Sequence, residues 1–312
     1  MKDAEWIADL VRHGLVRPSF VPPPEIRELR DLLRHRRTLA ETLASERNRT
    51  LKLLETANIK LSSVATDVFG VSGTAMLKAL VEGDMAPEAM AELAKGRLRT
   101  KLEQLVKALQ GRLTEHHGFL LRQHLRRLDE IERDLAELEA RIADRMKPFR
   151  RQVNLLKRVP GIDEIIAAEI IAEIGIDMTV FGNARRLAAW AGVCPGNHES
   201  AGRSRKTSTR KGNLYLKTTL FRAAVCAAKA KGTYYKEKYY RLKARLGAKR
   251  AAMAIAHKIL VAVFHILAEG TEFRELGPAH LDQQHKHRVT KGLVRRLDAL
   301  GYQVILRPKL AA

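Results

Sequence analysis

Residues 193–213, VCPGNHESAGRSRKTSTRKGN, are the part of this chain best suited to chemistry. Between Glu199 and Lys211 stand one acid and five bases, Arg203, Arg205, Lys206, Arg210 and Lys211. Such a segment is built to meet an anion, and guanidinium forks match phosphate geometry. Ser200 sits beside small Ala201 and Gly202, which leaves room for a large phosphodiester to approach its hydroxyl. It is the candidate nucleophile. A serine hydroxyl is weak at neutral pH and needs a base or electrostatic help. Arg203, Arg205 and Lys206 are placed to neutralise a phosphate and stabilise a pentacovalent transition state. His198 and Glu199 are adjacent candidates for base or orienter. The competing reading of Ser200 is a cap or turn residue.

A second cationic stretch, residues 229–250, has nine Lys/Arg against one acid, Glu237, interleaved with Tyr234, Tyr235, Tyr239 and Tyr240. That pattern suits a surface that tracks phosphates and stacks some bases. Lys236, Lys238 and Arg241 are its candidate contacts, and one tyrosine face is expected to be buried. Other chemistries have weaker support. His285, His287 and Arg288 include an H-x-x-R pattern, with Tyr302 downstream, but tyrosine-recombinase chemistry has no arginine box upstream here. His116, His117, His285 and His287 lack Cys or carboxylate partners at zinc-ligand spacing. Cys194 and Cys226 form neither a disulfide framework nor a zinc motif, and are expected to be reduced inside a cell.

The elements that must position these residues are mostly helices. Residues 2–15 predict a short amphipathic helix with Trp6, Ile7, Leu10 and Val11 on one side. Residues 18–25, PSFVPPPE, predict a stiff extended connector. Ile26, Leu29, Leu33, Leu43, Leu51 and Leu54 then recur at helical spacing, with breaks expected over 70–87 and helix again over 88–113. Leu121, Leu125, Leu128, Ile131, Leu135, Leu138 and Ile142 form a near-heptad seam. This seam fits two arrangements, a hairpin with residues 26–60 or a coiled coil between protomers. Beyond Pro148 a helix, a Pro160-Gly161 turn and an Ala/Ile helix resemble a helix-hairpin-helix, in which Gly161 would bring backbone N–H groups to DNA phosphates. Glycines and Pro195 predict that 193–213 is irregular. The tail is expected to hold a helix over 291–300 and a short strand, YQVIL.

The expected fold is therefore mainly α, a long helical coiled-coil arm followed by a compact all-helical domain and a short αβ tail. Its divisions are 1–24, 25–148, 149–270 and 271–312. Formal net charge is +22 over 312 residues, which favours polyanionic partners and says nothing of fold. Hydrophobic residues reach 46 %, enough for real cores. The charged N-terminus is no signal peptide. The most apolar stretch, 251–268, contains His257, Lys258 and His265, so no membrane association is expected.

A set of motifs resembles one family. They are PGI at 160–162, AAEIIAEIG at 167–175, F-x-x-A-R-R-L-A-A-W-A-G-V-x-P-G at 181–196, E-S-A-G at 199–202 and R-K-G-N at 210–213. L-x-x-x-L-F-R-A-A follows at 216–224 and G-A-K-R-A-x-x-A-x-A-H-K-I-L at 247–260. Together they resemble the C-terminal domain of the Piv/DEDD transposase-recombinase family of bacterial insertion sequences, the IS110 type. The resemblance spans residues 150–270 strongly and 1–150 more loosely.

The resemblance implies a DNA transposase acting in the cytoplasm near the nucleoid, as a homo-oligomer of at least two chains. Ser200 occupies the family's serine position, where Ala201 departs from the usual glycine, and a structured guide RNA joins DNA as a partner. It also implies a RuvC-like domain whose four acids bind Mg2+. Only the last acid of that set has a counterpart here, Asp3 in K-D-A, so a complete metal site is not expected and the chain alone is expected to be inactive. The alternative is a non-catalytic nucleic-acid-binding remnant or regulator of a full-length transposase.

Overall fold

A computed structural model describes residues 2–15, 20–196, 199–200, 203–204, 209–284 and 286–306. The fold is mainly α, and the chain divides into two compact units, Asp31–Arg145 and Met1–Arg30 with Met146–Ala312.

Helix α1 (Lys2–Arg12) is amphipathic, and its apolar side chains Trp6, Ile7 and Val11 are exposed. The connector ends earlier than its proline content suggests, because α2 (Pro24–Thr56) already starts at Pro24. Proline suits the first helical position, where its missing N–H would have no partner. No glycine or further proline interrupts α2 over its 33 residues, which explains its length.

In the arm, α3 (Leu61–Val64), α4 (Val71–Glu82), α5 (Pro87–Glu92) and α6 (Leu102–Leu109) enclose a core of Leu61, Met76, Leu77 and Leu105. The single helix expected over 88–113 is thus corrected. Helix α5 ends at Glu92, Gly96, at φ +58°, begins a 3-10 segment over Gly96–Lys101, and α6 ends at Leu109. Helix α7 (Glu115–Arg145) carries the heptad seam. Leu121, Leu128 and Ile142 are buried, and Leu125, Ile131, Leu135 and Leu138 are half-buried.

Of the two arrangements open for this seam, the structure has the intramolecular one. Arg36 donates to Glu139 at 2.6 Å, Arg47 to Glu132 at 2.8 Å, and His124 Nδ1 lies 2.6 Å from Glu46 Oε1, all between α2 and α7. Glu46 is buried. Burial alone would raise its pKa, but hydrogen bonds from His124 and Arg49 and the charges of His124 and Arg127 bring it below the ordinary value.

In the other unit, α8 (Arg150–Leu156), α9 (Glu164–Ile174), α10 (Ala184–Trp190), α11 (Leu214–Ala227) and α12 (Tyr234–Leu246) surround or adjoin α13 (Ala248–Glu269). Side-chain caps set several starts. Asp163, Asn183, Asn213 and Thr233 accept backbone N–H bonds from Ile166, Arg186, Leu216 and Lys236. Helix α13 is long and apolar enough to cross a membrane by length and composition only. Its Ile255, Ile259, Leu260 and Val263 are fully buried in the core of this unit.

Two further expectations change. Between α10 and α11 the chain is not wholly irregular, since β1 (Glu199–Ser200) and β2 (Arg203–Ser204) pair antiparallel. A two-residue connection ending in glycine, Ala201-Gly202, is a hairpin signal that outweighs the breakers around it. In the tail, α14 (His280–Gln284) and α15 (Lys286–Ala299) are helical, while residues 302–306 form no strand. No other strand is described in the tail, and an unpaired strand has no ladder to stabilise it.

Candidate nucleic-acid interface and serine loop

The serine hairpin rises from a base where two backbones touch. A Cβ on Gly212 would lie 2.5 Å from the Gly192 nitrogen, and one on Gly192 would lie 2.8 Å from the Arg210 carbonyl oxygen. Gly192 also has φ +70°. Only glycine satisfies both demands, so the glycines at 192 and 212 close the loop. Above this contact Arg210 N donates to the Cys194 carbonyl at 3.3 Å, and Pro195 and Thr209 form an antiparallel bridge. Lys217 Nζ donates to Thr209 Oγ1 at 2.6 Å.

Asn213 fixes the exit strand. Its Oδ1 caps α11 through Leu216 N, its Nδ2 donates to Glu173 Oε2 at 2.5 Å, and its N–H meets the Trp190 carbonyl at 3.4 Å. Glu173 is buried on α9, with Arg30 Nε 3.5 Å from the same oxygen. One turn earlier on the same helix, buried Glu169 accepts from Thr219 at 2.6 Å and from Arg222 at 3.1 Å. Two carboxylates four residues apart thus face α11 and its N-terminus. They were missed in the sequence because they sit inside an apolar run. The readable signals were Asn213 just before α11 and the paired glycines at both ends of the loop.

Within the hairpin, Ser200 stands opposite Arg203 and Glu199 opposite Ser204 in the backbone register. His198, Arg205 and Lys206 lie outside the described residues. Arg210 and Lys211 are exposed on the exit side. Burial pushes the Cys194 thiol pKa up, and the Arg210 charge only partly opposes this.

The other predicted contacts separate. Gly161, at φ +89°, packs against α11, where an added Cβ would lie 2.2 Å from the Ala223 carbonyl oxygen. Packing inside the unit therefore accounts for this glycine. Arg241 is ion-paired with Asp282 at 2.8 Å. Lys236 is half-buried on α12. Lys238, also on α12, has its pKa lowered by burial and then by the charges of Lys258, Arg241 and Arg245. Of the tyrosines, Tyr235 is buried against Phe273, whereas Tyr240 is 51 % exposed with Lys243 over its ring.

The metal expected from the resemblance needs several converging oxygens. Asp3 is exposed on α1, and among the described residues no three His, Cys, Asp or Glu side chains converge to hold an ion. The described residues around Asp3 do not fit a Mg2+ site.

Charge divides sharply between the two units. Residues 31–145 hold 20 Lys/Arg against 18 Asp/Glu, and the rest of the chain holds 37 against 17. The net positive charge therefore belongs almost entirely to the unit that carries the serine hairpin.

Comparison with known proteins finds similarity in two segments of the chain. Residues 153–241 match the family model described as Transposase IS116/IS110/IS902 family, and residues 1–59 match a DEDD-type IS110 transposase model. A Pseudomonas aeruginosa protein described as "Probable family 20 transposase" is 30 % identical over 161 residues. That alignment covers 50 % of this chain and 47 % of the relative, so the chain spans about half the length of the curated relative it matches.

Proposed function

From a chain similar in two segments to IS110/IS116-family transposases, we propose a DNA transposase or recombinase of an insertion sequence, with Ser200 as its nucleophile. The observation that carries this reading is Ser200 on a hairpin whose base is locked, in the unit that holds nearly all the net positive charge. In the step envisaged, Ser200 Oγ attacks a phosphodiester phosphorus. A new O–P bond forms, the bridging O–P bond breaks, and the strand oxygen leaves, taking up from the base the proton that the serine gave it. The serine proton passes to a base, for which His198 and Glu199 are the nearest in sequence. Arg203, Arg205, Lys206, Arg210 and Lys211 balance the charge on the phosphorane, a stabilisation realised most fully in the transition state. Lys236 and Lys238 extend the contact along the strand, and Arg241 joins them if its pair with Asp282 opens. Gly161, whose Cα packs on α11, would offer backbone N–H groups of its turn to a phosphate. A structured guide RNA and a second copy of the chain complete the proposed assembly in the bacterial cytoplasm.

A second reading, a non-catalytic nucleic-acid-binding regulator, needs only the positive charge of this unit and no nucleophile. One experiment separates the two. The full chain is mixed with Mg2+, guide RNA, insertion-sequence ends and a full-length family transposase whose own serine is replaced by alanine. A covalent protein–DNA adduct should form on Ser200 and vanish in Ser200→Ala, with DNA affinity changed less than about twofold. Ser204→Ala should keep the adduct. DNA binding without any adduct on this chain would leave the regulator reading standing.

A further inference from the structure

A cavity of about 820 Å³ opens at the foot of the serine loop, between α12, α13 and the Pro195–Thr209 bridge. Its walls have two characters. Val193, Pro195, Leu242, Leu246 and Met253 give it an apolar lining. Lys238, Lys249, Arg250 and Lys258 bring four cations to it, joined by His257, and among the described residues no carboxylate lines it.

These cations differ from others in the same unit. Arg150 is paired with Glu164, Arg222 with Glu169 and Arg241 with Asp282. The side chains of Lys238, Lys249, Arg250 and Lys258 make no hydrogen bond or ion pair with any described residue. Four like charges converging on one cavity repel one another, and an anion relieves that repulsion. Lys249 and Arg250 also lie in the first turn of α13, a 22-residue helix whose N-terminus favours negative charge. A free phosphate would satisfy the cations but has no use for the apolar walls. The volume falls within the range of about 300–1,000 Å³ of small-ligand pockets. A nucleotide satisfies both surfaces, with an apolar face on its base and a charge on its phosphate.

We propose that this cavity takes one unstacked nucleotide of a bound strand, with the base against Leu242, Leu246 and Met253 and the phosphate among the four cations. This rests on the reading of the unit as nucleic-acid-binding. Its position follows from the loop base. Pro195 and Thr209 line the cavity and also bridge the two limbs of the hairpin, so a strand passing Ser200 is held at the foot of the same hairpin. Extracting one nucleotide from its stack costs a few kcal/mol, least where the strand is already single. The pocket offsets that cost with apolar burial and fixes the register of the strand relative to the serine.

The test uses the full chain and a single-stranded oligonucleotide carrying one 2-aminopurine. Among the described residues no Phe, Tyr or Trp lines the cavity and His257 is its one aromatic ring, so a base seated there leaves its stacked neighbours and its emission rises several-fold. His257 reports separately by NMR. Burial and the Lys258 charge hold its pKa below the ordinary value, and a phosphate among Lys238, Lys249, Arg250 and Lys258 should move its titration upward. Ala254→Phe fills the cavity without changing charge, and should remove both signals while overall affinity falls less than about fivefold. Lys238→Gln with Lys258→Gln leaves the core untouched, and should lower affinity about tenfold and reduce the salt slope by about 1 to 2. AMP should move the His257 titration at lower concentration than inorganic phosphate does. If Ala254→Phe, folded by circular dichroism, keeps both signals at full size, the pocket proposal is overturned. It is equally overturned if the lysine pair variant leaves affinity, slope and the His257 shift unchanged. If the unaltered chain binds no oligonucleotide at any salt concentration, the nucleic-acid reading itself fails, which is a different result.

Discussion

The arm, residues 31–145, and the unit bearing the serine hairpin are both helical and rich in arginine, but they use charge differently. In the arm, acids and bases almost balance, and they meet across the hairpin of α2 and α7 in pairs such as Arg36–Glu139 and Arg47–Glu132. Arginine there is a surface and pairing residue. In the other unit the bases outnumber the acids by 37 to 17. Its buried acids, Glu169 and Glu173, are engaged by α11 and the loop exit, while the cations of the α12–α13 cavity have no described counter-charge. A chain-wide charge of +22 therefore conceals one nearly neutral unit and one strongly cationic unit. Counting arginines does not locate an interface; counting the unpaired ones does.

The strongest way to break this comparison is by salt. Affinity of the full chain for nucleic acid should fall about 10³-fold between 50 and 200 mM salt if about six phosphates are neutralised. Arg210→Gln with Lys211→Gln should weaken binding about tenfold in fluorescence anisotropy, whereas Arg36→Gln with Arg47→Gln should stay within about twofold. The opposite ranking would move the interface to the arm.

Next come substitutions that unfold one unit at a time. Leu128→Lys places a charge in the α2–α7 seam and should cost the arm about 3 kcal/mol or more. Gly212→Ala drives a methyl onto the Gly192 backbone and should cost the other unit about 2 kcal/mol. Hydrogen exchange followed by residue should show protection lost in the arm for the first and around residues 190–213 for the second. Protection lost equally in both units would mean that they unfold as one.

A smaller effect distinguishes buried from surface charge. Thr219→Val leaves the Glu169 carboxylate short of a hydrogen bond and should cost about 1–3 kcal/mol by denaturant titration. Arg36→Ala removes a partly exposed ion pair and should cost less than about 1 kcal/mol. Comparable losses would show that the arm pairs matter more than their exposure suggests.

The smallest effect is the response to acid, and it falls in different windows. His257, beside Lys258 and facing the same cavity as Lys238, Lys249 and Arg250, titrates below its ordinary 6.5 when folded. The unfolded chain therefore takes up the proton first, and stability is lost as pH falls below about 6.5 through the lowered folded value. Glu46 in the arm is lowered from 4.5, so its contribution is present above that value and is lost only as pH falls below it. His257→Gln should flatten the first loss and Glu46→Gln the second, read as melting temperature against pH. Loss of both contributions in one common window would contradict the assignment.

Most helices were legible because their signals are local. The seam from Leu121 to Ile142 marks α7, and Gly and Pro mark where helices stop. The break at Gly96 was missed because one glycine in a helical pattern is often tolerated, and only its left-handed backbone shows that this one is not. The hairpin at 199–204 was hidden by surrounding breakers, although Ala201-Gly202 was the clue. Ser200 and the cationic stretch around it were legible as residue types in a motif. Arg241 and Lys238 looked alike in the sequence, yet one faces Asp282 and the other opens on a cavity.

The sequence by itself determined the mainly α class, the excess of positive charge, the serine in E-S-A-G and the family its motifs resemble. These depend on residue identity and short-range spacing, which a single chain displays directly. Only the tertiary structure decided that the seam closes within the chain, that Gly161 packs on α11 and that Gly192 meets Gly212. It alone placed Glu169 against α11 and Glu173 against the loop exit, and gathered Lys238, Lys249, Arg250 and Lys258 around one cavity. Those facts arise from contacts between residues far apart in the chain. Periodicity tells which face of a helix is apolar, but not which distant segment will cover it.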